Sequence, residues 1–423
     1  MITLLLAIIN ILSFGSVADN GKTNNAPAIN RAIASCAEHG GGTVVVPEGT
    51  FGSGTIYLKS RVTLRLESGA VLKGSPNIDD YSPLVTTLDL SRYESGQGTV
   101  NHNSATDPEW SRSFIFCVGI DHAGIEGCGT IDGADVRNVK GEEGMRGPHT
   151  IMIVGCKNMR FSDFNVTRSA NYAFLGYQIN KAEFSNLTIT GGWDGIHIRG
   201  GERIGINRCR LHTGDDCVAG GYWNNITISH CTLNSSCNGI RMIMPSTRVE
   251  ITDCNIYSPG IYPHITSGRT STETGINIQP GGWGKAPGRM DRIAIRRCKL
   301  NHVGVPLSVT LSEDNTCGRV LVEDVVAHDI TGAALSMKSW GTTKIDKVTI
   351  RRSDFQYVGV DDPNLPAWFE GKPVSQWPCF PCYGMYFRNV GRVCLDKVKL
   401  SFTGKEYRKA VIMDNVGKHN YKE

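Results

Sequence analysis

Three aspartates carry the first chemical signal in this chain. Asp194 and Asp216 stand 22 residues apart, and Asp215 directly precedes the second. Asp194 and Asp216 each head a short apolar segment, Asp194-Gly-Ile-His-Ile198 and Asp216-Cys-Val-Ala-Gly220. Two more copies follow, Asn238-Gly-Ile-Arg-Met242 and Thr274-Gly-Ile-Asn-Ile278. Strand alternation sends Ile196, Val218, Ile240 and Ile276 to the inside and His197, Ala219, Arg241 and Asn277 to the outside. An isolated Asp-Asp is most simply a solvated turn. Here the acids come from different strands and share a face with Trp193, His197 and Arg241. Clustered carboxylates drive at least one pKa upward, the condition for a general acid beside a general base. Cleavage of a glycosidic bond by water requires such a pair.

The elements that position these residues follow from an internal repeat. Arg203-Ile-Gly-Ile-Asn-Arg-Cys-Arg-Leu211 places apolar residues at its second, fourth, seventh and ninth positions. Asn225-Ile-Thr-Ile-Ser-His-Cys-Thr-Leu233 and Arg248-Val-Glu-Ile-Thr-Asp-Cys-Asn-Ile256 repeat it. Further copies start at Arg292, Arg319, Lys347 and Arg392, and earlier ones run through Met159 and Ala182. The second positions 159, 182, 204, 226 and 249 are 22 or 23 apart, and the step to 293 is either two turns or one with an insertion. Short alternating strands at this period, with no helix between them, predict an all-β solenoid whose like residues stack about 4.8 Å apart. Cys209, Cys231, Cys254 and Cys298 share one inward template position, so stacked buried thiols are favoured over disulfides. Cys379 and Cys382 either pair or pack. The one good helix signal is at the start, with Asn25 as cap, Pro27 in the first turn, Ile29 and Ile33 on one face and Gly40 as terminator. A short amphipathic helix there would lid the open end of the solenoid, and Thr43-Val-Val-Val-Pro47 would begin the coil.

Composition agrees. Glycine supplies 49 of 423 residues, well above the roughly 7% of ordinary proteins. The 44 basic and 40 acidic side chains leave a net charge of +4, too small and too evenly spread for a nucleic-acid reader. No run of 18 apolar residues is present, which excludes a membrane-spanning helix. The apolar Met1 to Phe14 reads as a residual secretory segment or, from Asn10 to Phe14, as a first strand. A secreted or periplasmic protein is the expectation. Length alone suggests several domains, whereas the repeat makes residues 14–423 one domain after a segment 1–13.

The sequence resembles family 28 of the glycoside hydrolases, the polygalacturonase-like family. The resemblance runs through Phe14-Gly-Ser-Val-Ala-Asp-Asn-Gly-Lys-Thr23, Val44-Val-Pro-Glu-Gly-Thr-Phe51, Leu66-Glu-Ser-Gly-Ala-Val-Leu-Lys-Gly-Ser75 and Gly129-Thr-Ile-Asp-Gly133. Its most specific part is Gly214-Asp-Asp-Cys-Val-Ala219, which looks like the family's Gly-Asp-Asp motif. Trp193-Asp-Gly195 stands in place of Asn-Thr-Asp-Gly. The resemblance implies a single-stranded right-handed parallel β-helix of the pectate-lyase-like kind, with Asp215 as general acid and Asp194 and Asp216 holding the attacking water. It also implies inversion at the anomeric carbon.

Departures from the family pattern fall at the substrate-reading positions. Cys237-Asn-Gly239 replaces Gly-His-Gly, so Asn238 stands for a histidine, and Asn277-Ile-Gln279 replaces Arg-Ile-Lys. Arg241 and Arg269 are candidates to restore the lost charge, with a surface ion pair as the equal alternative for each. Trp193, His197, Asn238, Arg241, Arg269, Asn277 and Gln279 make up the expected substrate-binding set, and among the tryptophans Trp193 is favoured over Trp223 and Trp283 as a sugar platform. The expected partner is a pectin-like polysaccharide or oligosaccharide, with no cofactor, no metal and a monomeric state. The long segments Tyr81 to Arg112 and Gln356 to Cys382 are expected to wall the cleft and favour end-cutting. A polysaccharide lyase with a cation on the Asp ladder, and a non-catalytic glycan binder, are the alternatives.

Overall fold

The computed structural model describes residues 7–94, 103–373 and 379–422. It is 49% strand and 7% helix, and all its paired strands run parallel, the right-handed parallel β-helix fold that the repeat and the resemblance lead one to expect. Two compact units are distinguished, residues 1–215 and 216–423.

In the first unit the template copies pair in register. Met159 lies against Ala182 and Ala182 against Ile204, while Val166, Ile189 and Leu211 form a second ladder. All six are buried, and each fully buried Ile or Leu contributes about 1.5–3 kcal/mol. A single residue in the left-handed conformation bends the chain from one ladder to the next: Asp163, Asn186 and Arg208, with φ of 71°, 53° and 54°. Asp and Asn tolerate this region through local hydrogen bonds, whereas Arg208 bears a cost of roughly 1 kcal/mol. Cys209 follows the bend, is buried, and points its thiol at the Phe184 carbonyl of the preceding rung at 3.6 Å.

The second unit repeats this plan. Ile226, Val249, Ile293, Val320, Val348 and Val393 pair one after another. The long step from 249 to 293 is therefore one turn carrying an insertion. Bends fall at His230, Asp253, Arg297, Asp324 and Arg352. Cys231, Cys254, Cys298 and Cys382 are buried thiols, and Cys379 is a half-buried one.

The helix spans Ala26–Glu38 and buries Ala28, Ile29, Ala32, Ile33 and Cys36. Asn25 does not cap it through its side chain. Its amide is spent on docking instead: Oδ1 accepts from the Val17 N–H at 2.8 Å, and Nδ2 donates to the Gly52 carbonyl at 3.0 Å. The first strand is Ala7–Asn10, paired with Gly42–Val45, and the chain then tightens into a 3-10 turn over Ile11–Phe14. The expected strand over Asn10 to Phe14 is thus displaced toward the N-terminus, because the Asn10 side chain accepts from Leu12 N–H and starts a turn. The apolar segment's first six residues, the stretch 95–102 of one expected cleft wall and 374–378 of the other lie outside the described residues.

Candidate active site

Asp194 leads the strand Ile196–Asn207 in the first unit. His197 follows on the outward side, in register with Leu175 and, one rung earlier, Met152. All three are nevertheless buried, because the segment after Tyr81 packs on this face. Tyr93 meets Tyr177 edge-on at 6.0 Å, and Trp110 meets His149 at 4.7 Å.

Within that cover a charged relay forms. The Arg199 Nε donates to His197 Nε2 at 3.1 Å, which leaves the proton of a neutral imidazole on Nδ1. Nδ1 in turn meets Asp194 Oδ2 at 2.6 Å. Arg199 Nη1 donates to the carbonyls of Tyr93 and Asn103, both at 3.1 Å. The His197 ring stacks on Tyr172 at 4.7 Å and 3°. His197 therefore fixes Asp194 and does not reach outward to a ligand, since the chain after Tyr81 has closed over the face that alternation made external.

Asp215 closes the first unit, its backbone N–H donating to the Trp193 carbonyl at 3.4 Å. Its carboxylate lies 3.9 Å from Arg146 Nη2, and the same guanidinium stands 3.5 Å over the Trp193 ring. Arg146 also faces Glu142 at 3.6 Å and Glu143 at 3.3 Å. Burial works against the Arg146 charge, but Tyr172, Glu142, Asp215 and Glu143 outweigh it and hold the guanidinium above its ordinary range. Burial raises Glu142 above the usual carboxyl range, against the opposing pull of Arg146 and of the Trp110 N–H, which donates at 3.2 Å. His149 is fully buried between these groups, and burial, then Arg199 and Arg146, hold it neutral. Trp193 is 2% exposed, so it is the floor under Arg146 and offers no open platform to a sugar ring.

The second unit opens with Asp216, which is also buried. Its Oδ1 accepts from the Asn238 backbone N–H at 3.1 Å and from the Asn238 Nδ2 at 2.7 Å, and Arg241 Nη1 lies 3.6 Å from Oδ2. Arg241 sits 5.0 Å over the Trp283 ring. Asn238 thus holds a carboxylate, as His197 does in the first unit. Asn277 pairs with Arg241 across the ladder and donates to Asn238 Oδ1 at 3.4 Å. Gln279 directly follows the strand Thr274–Ile278, and its side chain packs against Gly282 in the next turn. Arg269 is engaged by Glu273 at 2.6 Å and donates to the Ser236 carbonyl at 2.9 Å, the ion-pair alternative weighed for it above. Trp223 is buried.

The sequence reading missed Arg146, Glu142, Tyr172, Arg199 and Trp110. Arg199 carried a weak signal, since it lies two residues from His197 on the same side of one strand. The others reach the site from loops and from the 3-10 turn Glu142–Gly144, where no period marks them.

A family model described as rhamnogalacturonase A/epimerase, pectate lyase-like, matches residues 8–258. An exo-poly-alpha-D-galacturonosidase of Dickeya chrysanthemi is 45% identical over 74 residues, which is 18% of this chain and 12% of that protein. An exopolygalacturonase of Arabidopsis thaliana is 24% identical over 361 residues, 78% of this chain and 73% of that one. Among solved structures, an exopolygalacturonase from Thermotoga maritima aligns with a TM-score of 0.61 at 15% identity, covering 93% of this chain and 92% of that one. A surface adhesin of Streptococcus pneumoniae (TM-score 0.61, 14% identity, 96% and 93% covered) shares the fold. So does the A-module of a mannuronan C-5 epimerase of Azotobacter vinelandii (TM-score 0.60, 13%, 96% and 100%). The fold alone therefore does not select an activity.

Proposed function

The chain belongs to the rhamnogalacturonase A/epimerase, pectate lyase-like family, and from that premise we propose that it hydrolyses O-glycosidic bonds of a pectin-like polysaccharide. The observation that carries the proposal is the buried relay from Arg199 through His197 to Asp194. A carboxylate fixed in this way, with the tautomer of its partner set, suits a group that must hold and orient a water molecule. In the proposed mechanism Asp215 protonates the leaving oxygen, Asp194 holds the attacking water and the anomeric configuration inverts, while Asp216 keeps, by the family resemblance alone, the water-holding role of its position. Arg146 orients Asp215 and Trp193. Arg199 with His197, and Asn238 with Arg241, keep the other two carboxylates in place.

Neutral amides at Asn238, Asn277 and Gln279 shift the substrate away from strict polygalacturonan. The packing of Tyr93 and Trp110 on the outward face favours cleavage from a chain end, in keeping with the exo-acting names of the relatives. Secretion fits a polysaccharide substrate, and no helix among the described residues is long and apolar enough to cross a membrane.

A panel of pectic polysaccharides with reducing-sugar detection, on wild type and Asp215→Asn, tests the proposal. Loss of a general acid lowers the rate about 10²–10⁴-fold. An unchanged rate in Asp215→Asn would remove Asp215 as the acid. An unsaturated product absorbing in the ultraviolet would replace hydrolysis by elimination, and binding without any product would leave a glycan-binding protein.

A further inference from the structure

The outward face of the second unit carries a polar ladder beyond Arg241. Asn277 pairs with Ser308, and Ser308 with Ser336. One residue past the Ile278–Val309 pair, the register leads from Gln279 to Thr310, and Thr310 pairs with Lys338. Lys338 therefore occupies the column of Gln279 two rungs further along, a displacement of roughly 10 Å at the usual strand spacing.

Its surroundings are unusual for an outward lysine. The residue is 8% exposed. Its ammonium donates to Ser336 Oγ at 2.8 Å and Ser308 Oγ at 3.1 Å, and lies 5.3 Å from the Phe380 ring centre. Among the described residues no carboxylate stands within ion-pairing distance. Tyr386 and Arg388 lie on the next rung, Asp414 one beyond, and Arg408 with Glu406 behind Phe380. Asp414 is taken by Arg388 and the Tyr386 hydroxyl, and Glu406 by Arg408 at 2.6 Å. An ammonium has three donors, and the two serines use two. Ser308 and Thr310 are only half-buried, so the cluster has an open side.

We infer that Lys338, with Ser308 and Ser336, forms an anion-reading position that takes the carboxylate of an acidic sugar unit in a chain lying along this face. The inference rests on the polysaccharide reading above and deepens it. Acid recognition is moved two rungs from Gln279 and is not lost with the neutral amides. Burial lowers the Lys338 amine to about 7. A bound carboxylate would favour the charged form, so binding above neutrality takes up a proton.

The test is titration calorimetry of Asp215→Asn protein, which limits turnover, with and without Lys338→Met. The probes are trigalacturonate and its uncharged counterpart galactotriose, in buffers of differing ionisation enthalpy. Trigalacturonate affinity should fall about tenfold from pH 6 to pH 8, with uptake approaching one proton per complex at the higher pH. Lys338→Met should abolish both the uptake and the pH dependence, and leave galactotriose unaffected. Ser308→Ala, which keeps the amine, should weaken trigalacturonate several-fold and serves if Lys338→Met folds poorly. Equal affinity and equal proton uptake with and without Lys338 would overturn the inference. Failure of trigalacturonate to bind, while wild type cuts a neutral polymer, would overturn it and leave the hydrolase reading standing. Trigalacturonate binding that depends on Lys338, with no cleavage of any polymer, would support it and overturn the hydrolase reading instead.

Discussion

Replacing Arg146 by methionine isolates the most exacting electrostatic feature of the first unit. The guanidinium is buried, and three carboxylates lie 3.3–3.9 Å from it. At an effective dielectric near 20 each attraction is worth about 4–5 kcal/mol before desolvation is counted. The net cost of removing one partner of such a buried set is about 3–5 kcal/mol, because the remaining charge stays in the interior uncompensated. Glu142 bears most of it, since its carboxyl is already raised by burial and loses its opposing cation. The sign with pH follows from that shift. A carboxyl whose folded value is raised binds its proton more readily when folded, so its penalty is absent below the ordinary carboxyl range and grows as pH rises through the folded value. Urea denaturation of Arg146→Met should therefore show a large loss at about pH 7.5 and a much smaller one at about pH 4.5. Arg146→Met combined with Glu142→Leu should recover the greater part at the higher pH, because the most deeply buried of the three carboxylates is then no longer stranded and Glu143 and Asp215 are more exposed. A loss below about 1 kcal/mol, or one equal at both pH values, would refute the assignment of Arg146 as the counter-ion of this cluster.

Two further substitutions separate holding from reading. His197→Phe keeps a ring against Tyr172 but removes the 2.6 Å bond to Asp194. It should cost about 1–3 kcal/mol in urea denaturation and lower kcat with little change in KM, whereas a ligand-binding histidine would raise KM. Arg269→Ala breaks a partly exposed pair with Glu273 and should cost less than about 1 kcal/mol. KM should stay within about twofold, and a much larger rise would place Arg269 on the substrate.

The repeat was legible because each turn makes the same demand on the sequence. Ile204, Ile226 and Val249 stand at one template position since each must fill the interior of its own rung, and a residue before Cys209, Cys231 or Cys254 must accept a left-handed bend. The step of 44 residues before Ile293 stayed ambiguous for the opposite reason. An insertion that leaves the ladder between turns has no template, and only the direct pairing of Val249 with Ile293 settles it. Asn25 shows a different limit. Its type and position satisfied the capping rule, yet a neighbouring strand offered the Gly52 carbonyl and the side chain went there.

The same distinction runs through the candidate site. Asp194, Asp215 and Asp216 stand out as candidates because they sit on the repeat, where spacing converts to position. Alternation sends His197 to the outward side, yet that side is buried at His197. Whether an outward residue meets solvent depends on what a distant loop lays over it, and the chain after Tyr81 lays Tyr93 and Trp110 there. The consequence is a change of role. His197, Asn238 and Trp193 had been expected to touch substrate, and each is instead spent on a carboxylate or its counter-ion. Asn238 gives one Asp216 oxygen two N–H donors without adding a charge, so a histidine at that position is not needed to hold the acid. Loss of the family's cations at Asn277 and Gln279 therefore bears on what the face reads, while the carboxylates keep their support. The buried amine of Lys338 lies two rungs along the same column, which is why it is the position proposed to take over a lost positive charge.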